Sequence, residues 1–295
     1  MDVRSGACVL VCGALAFGGV AQTGAVDDRG PLDSPEGVAE GLGGLVGSLA
    51  GVAPERREVQ LTERAFLQIN GLAWRAAHSA DFTLGGSREF SAESLELDEP
   101  VFGPLGDLAL RVNDKYLLRM RGYGLDQQGT SSARSAFTAG GLSVVPGDTI
   151  ETDFEYLAVE VAAGYSFDPV FSDPSTDIEI RFDAFVGVRV TDIELELQEV
   201  GGGQFTGGDT FPAAFGGTTM YMDLPAGWAI EVEGDGMGGD GVVGFGIDAR
   251  VSLAPHDLFR AEFGFRHVSA EFDTDSEITF DGWTAGLYVG AGLSF

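Results

Sequence analysis

The chain ends on WTAGLYVGAGLSF, residues 283–295. Trp283, Ala285, Leu287, Val289, Ala291, Leu293 and Phe295 are apolar, and Thr284, Gly286, Tyr288, Gly290, Gly292 and Ser294 stand between them. Successive side chains of a β-strand point to opposite faces. One face of this strand is therefore continuously apolar, and the other is small or polar.

The same period of two recurs upstream. Val243, Phe245, Ile247, Ala249, Val251 and Leu253 alternate with Gly244, Gly246, Asp248, Arg250 and Ser252. Residues 157–167, 178–190 and 259–265 repeat the pattern, and weaker versions lie at 61–75, 107–112, 116–125, 134–144, 193–200, 218–224 and 227–233. A strand that crosses a bilayer needs roughly 9–11 residues, and the strong segments are close to that length. Short turn signals occur at Asn113-Asp114-Lys115, Pro146-Gly147-Asp148, Val190-Thr191-Asp192 and Pro255-His256-Asp257. Longer polar stretches lie at 79–104, 126–132, 168–176, 201–217 and 273–278. Short turns on one side with long loops on the other is the layout of membrane barrels.

An alternating last strand that stops on Phe295 resembles the terminal strand read by the assembly machinery of bacterial outer-membrane β-barrels. The resemblance is architectural, covers 61–295, and points to no single family. It implies an all-β fold, a closed antiparallel transmembrane β-barrel in the cell outer membrane. It also implies outer-membrane lipid and the barrel assembly machinery as partners. With both ends on the periplasmic side the strand number is even, and about twelve are expected, with ten or eight as alternatives. Trp74, Tyr116, Tyr165, Trp228 and Trp283 sit near strand ends, as interfacial girdles do. The competing class is a soluble periplasmic barrel or sandwich, which also alternates.

The N-terminus sets the compartment. Arg4 precedes an apolar run from Ala7 to Val20, and Gly19-Val20-Ala21 offers small residues for cleavage. Residues 1–21 thus read as a secretory signal peptide, too short to span a bilayer as a helix. Cys8 and Cys12, the two cysteines of the chain, both lie inside it, so the mature protein is expected to form no disulfide. Residues 22–60 read as a periplasmic lead-in. Ser34 and Pro35 suit a helix start, but Gly37, Gly41, Gly44, Gly47 and Gly51 make any helix fragile. The barrel is expected over 61–295.

With 46 acidic against 17 basic residues the formal net charge is −29. Such a chain repels phosphate backbones, which argues against nucleic acid as a partner. The acidity fits either a salty medium or cation binding. The faces opposite the apolar ones would place Arg119, Arg121, Glu160, Glu179, Arg181, Asp183, Arg189, Asp248, Arg250, Arg260, Glu262 and Arg266 in the lumen. In a narrow barrel these charges must pair across strands; in a wide, wet one they would line a channel and set its ion preference.

Two smaller signals remain. His267-Val268-Ser269 puts a histidine and a serine on one strand face and is similar to the His-x-Ser arrangement of outer-membrane lipid A deacylases. The resemblance implies His267 as base, Ser269 as nucleophile and Glu271 or Glu277 as orienting acid. Acidic groups at Asp273, Asp275, Glu277 and Asp281, and at Glu93, Glu96, Asp98 and Glu99, invite a calcium reading, but neither has the spacing of an EF-hand loop. His78 and His256 stand isolated in loop or turn, so neither a metal site nor a cofactor is expected. The leading expectation is a small passive pore and not an enzyme. The alternative is a structural or surface-binding barrel with a plugged lumen, and a third reading is a lipid hydrolase.

Overall fold

The computed structural model describes residues 65–84, 88–256, 258–272 and 278–295. The expected signal peptide, the lead-in and both cysteines lie outside the described residues. Alternation becomes strand throughout: β1 (Ala65–Leu84), β2 (Arg88–Ser91), β3 (Val101–Val112), β4 (Tyr116–Ser132), β5 (Phe137–Ala139), β6 (Leu142–Val144), β7 (Thr149–Ser166), β8 (Phe171–Asp173), β9 (Ile178–Glu199), β10 (Gln204–Asp223), β11 (Trp228–Gly239), β12 (Val242–His256), β13 (Phe259–Phe272) and β14 (Ile278–Ser294). Ten of them, β1, β3, β4, β7 and β9 to β14, pair antiparallel into a ring. The ring closes because β9 pairs with β10 and β14 pairs with β1. Closure leaves no free sheet edge in the wall. The seam ends on Phe295, whose amide and carbonyl bond Leu67 at 2.9 and 3.0 Å.

The wall thus has ten strands rather than about twelve, and two segments account for the difference. Residues 134–144 form the small β5–β6 hairpin, a separate two-stranded sheet outside the wall. Residues 178–190 and nearly all of 193–200 belong to one strand, β9, of 22 residues, which ends at Glu199. Val190-Thr191-Asp192, expected as a turn, lies in its middle.

The reason is a change of chemistry without a change of direction. Even-numbered residues of β9 face outward along its whole length. In the lower part these are apolar, with Val186, Val188 and Val190 exposed; in the upper part they are Asp192, Glu194, Glu196 and Gln198. Odd-numbered residues face inward: Asp183, Arg189 and Thr191 below, then Ile193, Leu195 and Leu197 above, all buried. β7 inverts at the same level. Outward Val161, Val159 and Leu157 give way to Glu155, Asp153 and Glu151, while inward Glu160 gives way to Tyr156, Phe154 and Ile150. The barrel is therefore built in two storeys. The lower storey, at the end holding Phe295, has an apolar outside and a charged inside. The upper storey has an acidic outside and an apolar inside.

Phe245, Ile247, Val251, Phe263, Phe265, Leu287, Val289 and Leu293 remain exposed on the lower storey and form its apolar belt. Tyr116, Tyr165 and Trp228 mark the belt's lower rim and Trp283 its upper edge, all four exposed. Trp74 does not join them. It is fully buried inside the barrel, edge-on to Tyr123 at 5.6 Å, because inversion turns the inner face of β1 apolar at that height. His78, expected in a loop, lies on the same inner face beside the Phe154 ring at 4.9 Å.

The upper storey is filled by rings. Phe82, Phe154, Phe272 and Phe280 form a chain of contacts at 5.3 to 5.7 Å, extended by Phe211 at 4.7 Å from Phe272. Above them Phe90 of β2 meets Phe137 of β5 at 4.8 Å. Leu95, Leu97, Leu142 and Val144 complete a buried apolar cap. Residues expected as long loops are wall strand instead: 79–84, 126–132 and 204–210 in this storey, and 211–217 where β10 runs on into the lower one.

Candidate functional site

The lower lumen is where the sequence gathers chemistry. Of the charges expected there, Arg119, Arg121, Glu160, Asp183, Arg189, Asp248, Arg250, Glu262 and Arg266 are buried. Glu179, Arg181 and Arg260 sit half-buried at the lower rim, where Arg181 pairs with Asp223 at 3.1 Å and with Glu179 at 3.6 Å. Arg260 reaches Glu262 at 4.0 Å.

The pairs do not merely join neighbours along the wall. Glu160 on β7 receives Arg266 from β13 at 2.7 Å, and those strands lie five places apart in the ten-strand ring, diametrically opposite. Glu160 also accepts from Arg189 Nε at 2.9 Å. Arg121 on β4 approaches Glu233 at 3.1 Å, Asp107 at 3.8 Å, and Asp248 on the opposite β12 at 4.0 Å. Arg119 also pairs with Glu233 and lies over the Phe185 ring at 4.4 Å. Arg250 binds Asp107 at 3.1 Å, Glu262 at 3.5 Å and also Glu231. Arg189 adds Asp235 at 2.8 Å, Arg111 pairs with Asp183 at 2.9 Å, and Tyr288 donates to Asp248 at 2.7 Å. Planar guanidinium groups suit this work because each can bridge several carboxylates. At the top of the network Arg266 lies over the Tyr123 ring at 4.5 Å, where the aromatic storey begins.

Sequence reasoning missed Asp107, Arg111, Glu231, Glu233 and Asp235. Their signal is parity: Glu231, Glu233 and Asp235 alternate with Val232 and Gly234, which puts all three acids on the inner face. The segment's glycines weakened the apolar half of that pattern.

The His-x-Ser pair lies on the outer wall of β13. The His267 ring sits between Phe245 at 5.5 Å and Trp283 at 6.0 Å, and no hydrogen bond joins it to Ser269. Of the acids expected behind the histidine, Glu271 is exposed on the same face one step higher, and Glu277 lies outside the described residues. Two carboxylates share a cleft with Ser269, Asp281 from the neighbouring β14 and Asp81 from β1. Glu96, Asp98 and Glu99 line another outer cleft, with Gln128, Gly129 and Thr130. Among the described residues no three acidic, histidine or cysteine side chains gather as metal ligands would. Asp273 and Asp275 also lie outside the described residues.

No family model matches the sequence, and no curated protein does. Solved structures similar to it are bacterial outer-membrane β-barrels. The outer-membrane protease OmpT of Escherichia coli is 8% identical over 78% of this chain and 97% of its own, with a TM-score of 0.45. The transport unit of the autotransporter AIDA-I of Escherichia coli is 6% identical over 88% and 97%, with a TM-score of 0.38. Ail of Yersinia pestis, solved with a heparin analogue, is 12% identical over 78% and 99%, with a TM-score of 0.33.

Proposed function

We propose that the chain is an outer-membrane barrel with a sealed lumen, a rigid structural or surface-binding body rather than a small passive pore. The observation that supports this most directly is the Glu160–Arg266 contact of 2.7 Å between opposite walls. A passive pore needs a continuous watery path. Here the charged side chains that would line it meet in the middle and are almost wholly buried. The upper storey adds a second seal of phenylalanine rings. The apolar belt sets the membrane level, and the acidic storey stands above it on the outer side. The start of β1 and Phe295 then face the periplasm, where barrel assembly reads the last strand.

The test is planar-bilayer conductance of the refolded protein. Insertion without stepwise channels is the expected result. Regular channels whose ion selectivity changes in Glu160→Gln or Arg266→Gln would restore the pore.

A further inference from the structure

Every other basic residue on the ten wall strands of the described structure lies at an inward position, whereas Arg75 of β1 faces out and is exposed. It stands in register with Leu287 of β14 on one side and Phe102 of β3 on the other. Among the described residues no carboxylate pairs with it. Its guanidinium lies over the Phe102 ring at 6.0 Å, and that ring is itself 74% exposed. Ser79, two outward positions higher on the same strand, is in register with Trp283 at the belt's upper edge. A long arginine side chain at this depth lifts its charge toward the headgroup level.

Below Arg75 the outer face of β1 is cut low. Ala73 and Gly71 are exposed there, and a side chain begun at Gly71 would meet no atom within 4 Å. Leu287 and Val289 of β14 border this lane on one side, and Phe102 and Pro104 of β3 on the other.

We propose that Arg75 holds the phosphate of an outer-leaflet lipid, one of whose acyl chains lies in the lane over Ala73 and Gly71. A guanidinium facing hydrocarbon without a counter-ion is costly, and its planar fork matches two phosphate oxygens. The Phe102 ring fixes the guanidinium from the side. The acidic wall does not reach this point. Asp81 lies six residues further up β1, about 20 Å away at a strand's rise, and Asp126 of β4 lies about 10 Å away across β3, both beyond the ~8 Å over which exposed charges act in physiological salt. The inference rests on the membrane reading of the belt, because only a bilayer brings a phosphate and an acyl chain to this height together.

Vesicle flotation of the refolded protein is scored first, since failure to insert refutes the membrane reading itself. The inserted barrel is then extracted into an uncharged detergent. Short-chain phosphatidylglycerol, diacylglycerol of the same chain length and inorganic phosphate are each titrated calorimetrically. Saturable binding of the phosphatidylglycerol, about tenfold tighter than the diacylglycerol, is expected. Arg75→Gln should abolish that preference, and Gly71→Leu should weaken both lipids, while each variant melts as the parent does. Equal affinity for both lipids in the parent, or an undiminished preference in Arg75→Gln, overturns the phosphate site. Unchanged affinities in Gly71→Leu overturn the lane. Inorganic phosphate binding as tightly as the lipid overturns the assignment to a lipid. A dimer of the parent that Arg75→Gln dissolves, seen by sedimentation, overturns it in favour of a carboxylate from a second copy.

Discussion

Glu160→Gln tests whether the lower lumen is dry. The carboxylate is 1% exposed and holds two guanidinium groups, Arg189 at 2.9 Å and Arg266 at 2.7 Å. Glutamine keeps the shape and one acceptor oxygen but removes the charge both arginines face. Breaking a buried pair by deleting one partner costs about 3–5 kcal/mol, because the remaining charge is left uncompensated. Unfolding in guanidinium chloride reads this well: with a slope of roughly 4 kcal/mol per molar, a loss of about 4 kcal/mol lowers the midpoint by about 1 M. Glu179→Gln is the internal control. Its side chain is 38% exposed at the rim, and surface substitutions of this kind stay within about 0.5 kcal/mol. A double variant, Glu160→Gln with Arg266→Met, should recover part of the loss, since the two sites share one interaction. If Glu160→Gln shifts the midpoint no more than Glu179→Gln, water already compensates the arginines and the sealed-lumen argument fails.

Three further outcomes follow from the same geometry. Phe154→Ala removes a ring packed against His78 and Phe82 at 4.9 and 5.3 Å; it should destabilise the barrel by about 3–5 kcal/mol in the same unfolding assay. It should also leave the bilayer silent, because the charged storey still closes the lumen. Phe295→Ser, at an exposed end residue, should sharply lower the amount of barrel assembled in cell outer membranes while refolding of the purified chain into vesicles proceeds; equal assembly in cells would remove Phe295 as a recognition signal. Ser269→Ala should leave all lipid acyl chains as they were, whereas acyl release by the parent protein that stops in this variant, assayed by mass spectrometry of membrane lipids, would establish the hydrolase reading.

The belt was legible in the sequence because its strands repeat large apolar residues at every second position, as 243–253 and 283–295 do. Alternation reports which face is apolar, not whether that face looks in or out. At Val190 and Ile193 the apolar parity switches from even to odd, which imitates a turn followed by a new strand. In the structure the backbone runs straight through while the outer environment changes from apolar belt to acidic wall. Trp74 misled for the same reason: an aromatic near a belt edge reads as a girdle unless the inversion is known. The lumen charges on strongly patterned strands were found by parity alone. Glu231, Glu233 and Asp235 were not, because glycine replaces the apolar residues of their strand's outer face from Gly234 onward and cuts the pattern short. Asp281 was grouped with its sequence neighbours, and only strand pairing sets it beside Asp81 and Ser269.

The two storeys share their strands without a break. β1, β4, β7, β9 and β10 each pass from the lower storey to the upper with no intervening loop. On the proposed membrane orientation the upper storey is therefore not a domain on a tether but a mast stepped into its own hull. A force on its tip cannot be absorbed by a hinge and must tilt the whole cylinder in the bilayer. Such a body holds whatever it displays at a fixed height and angle above the lipid.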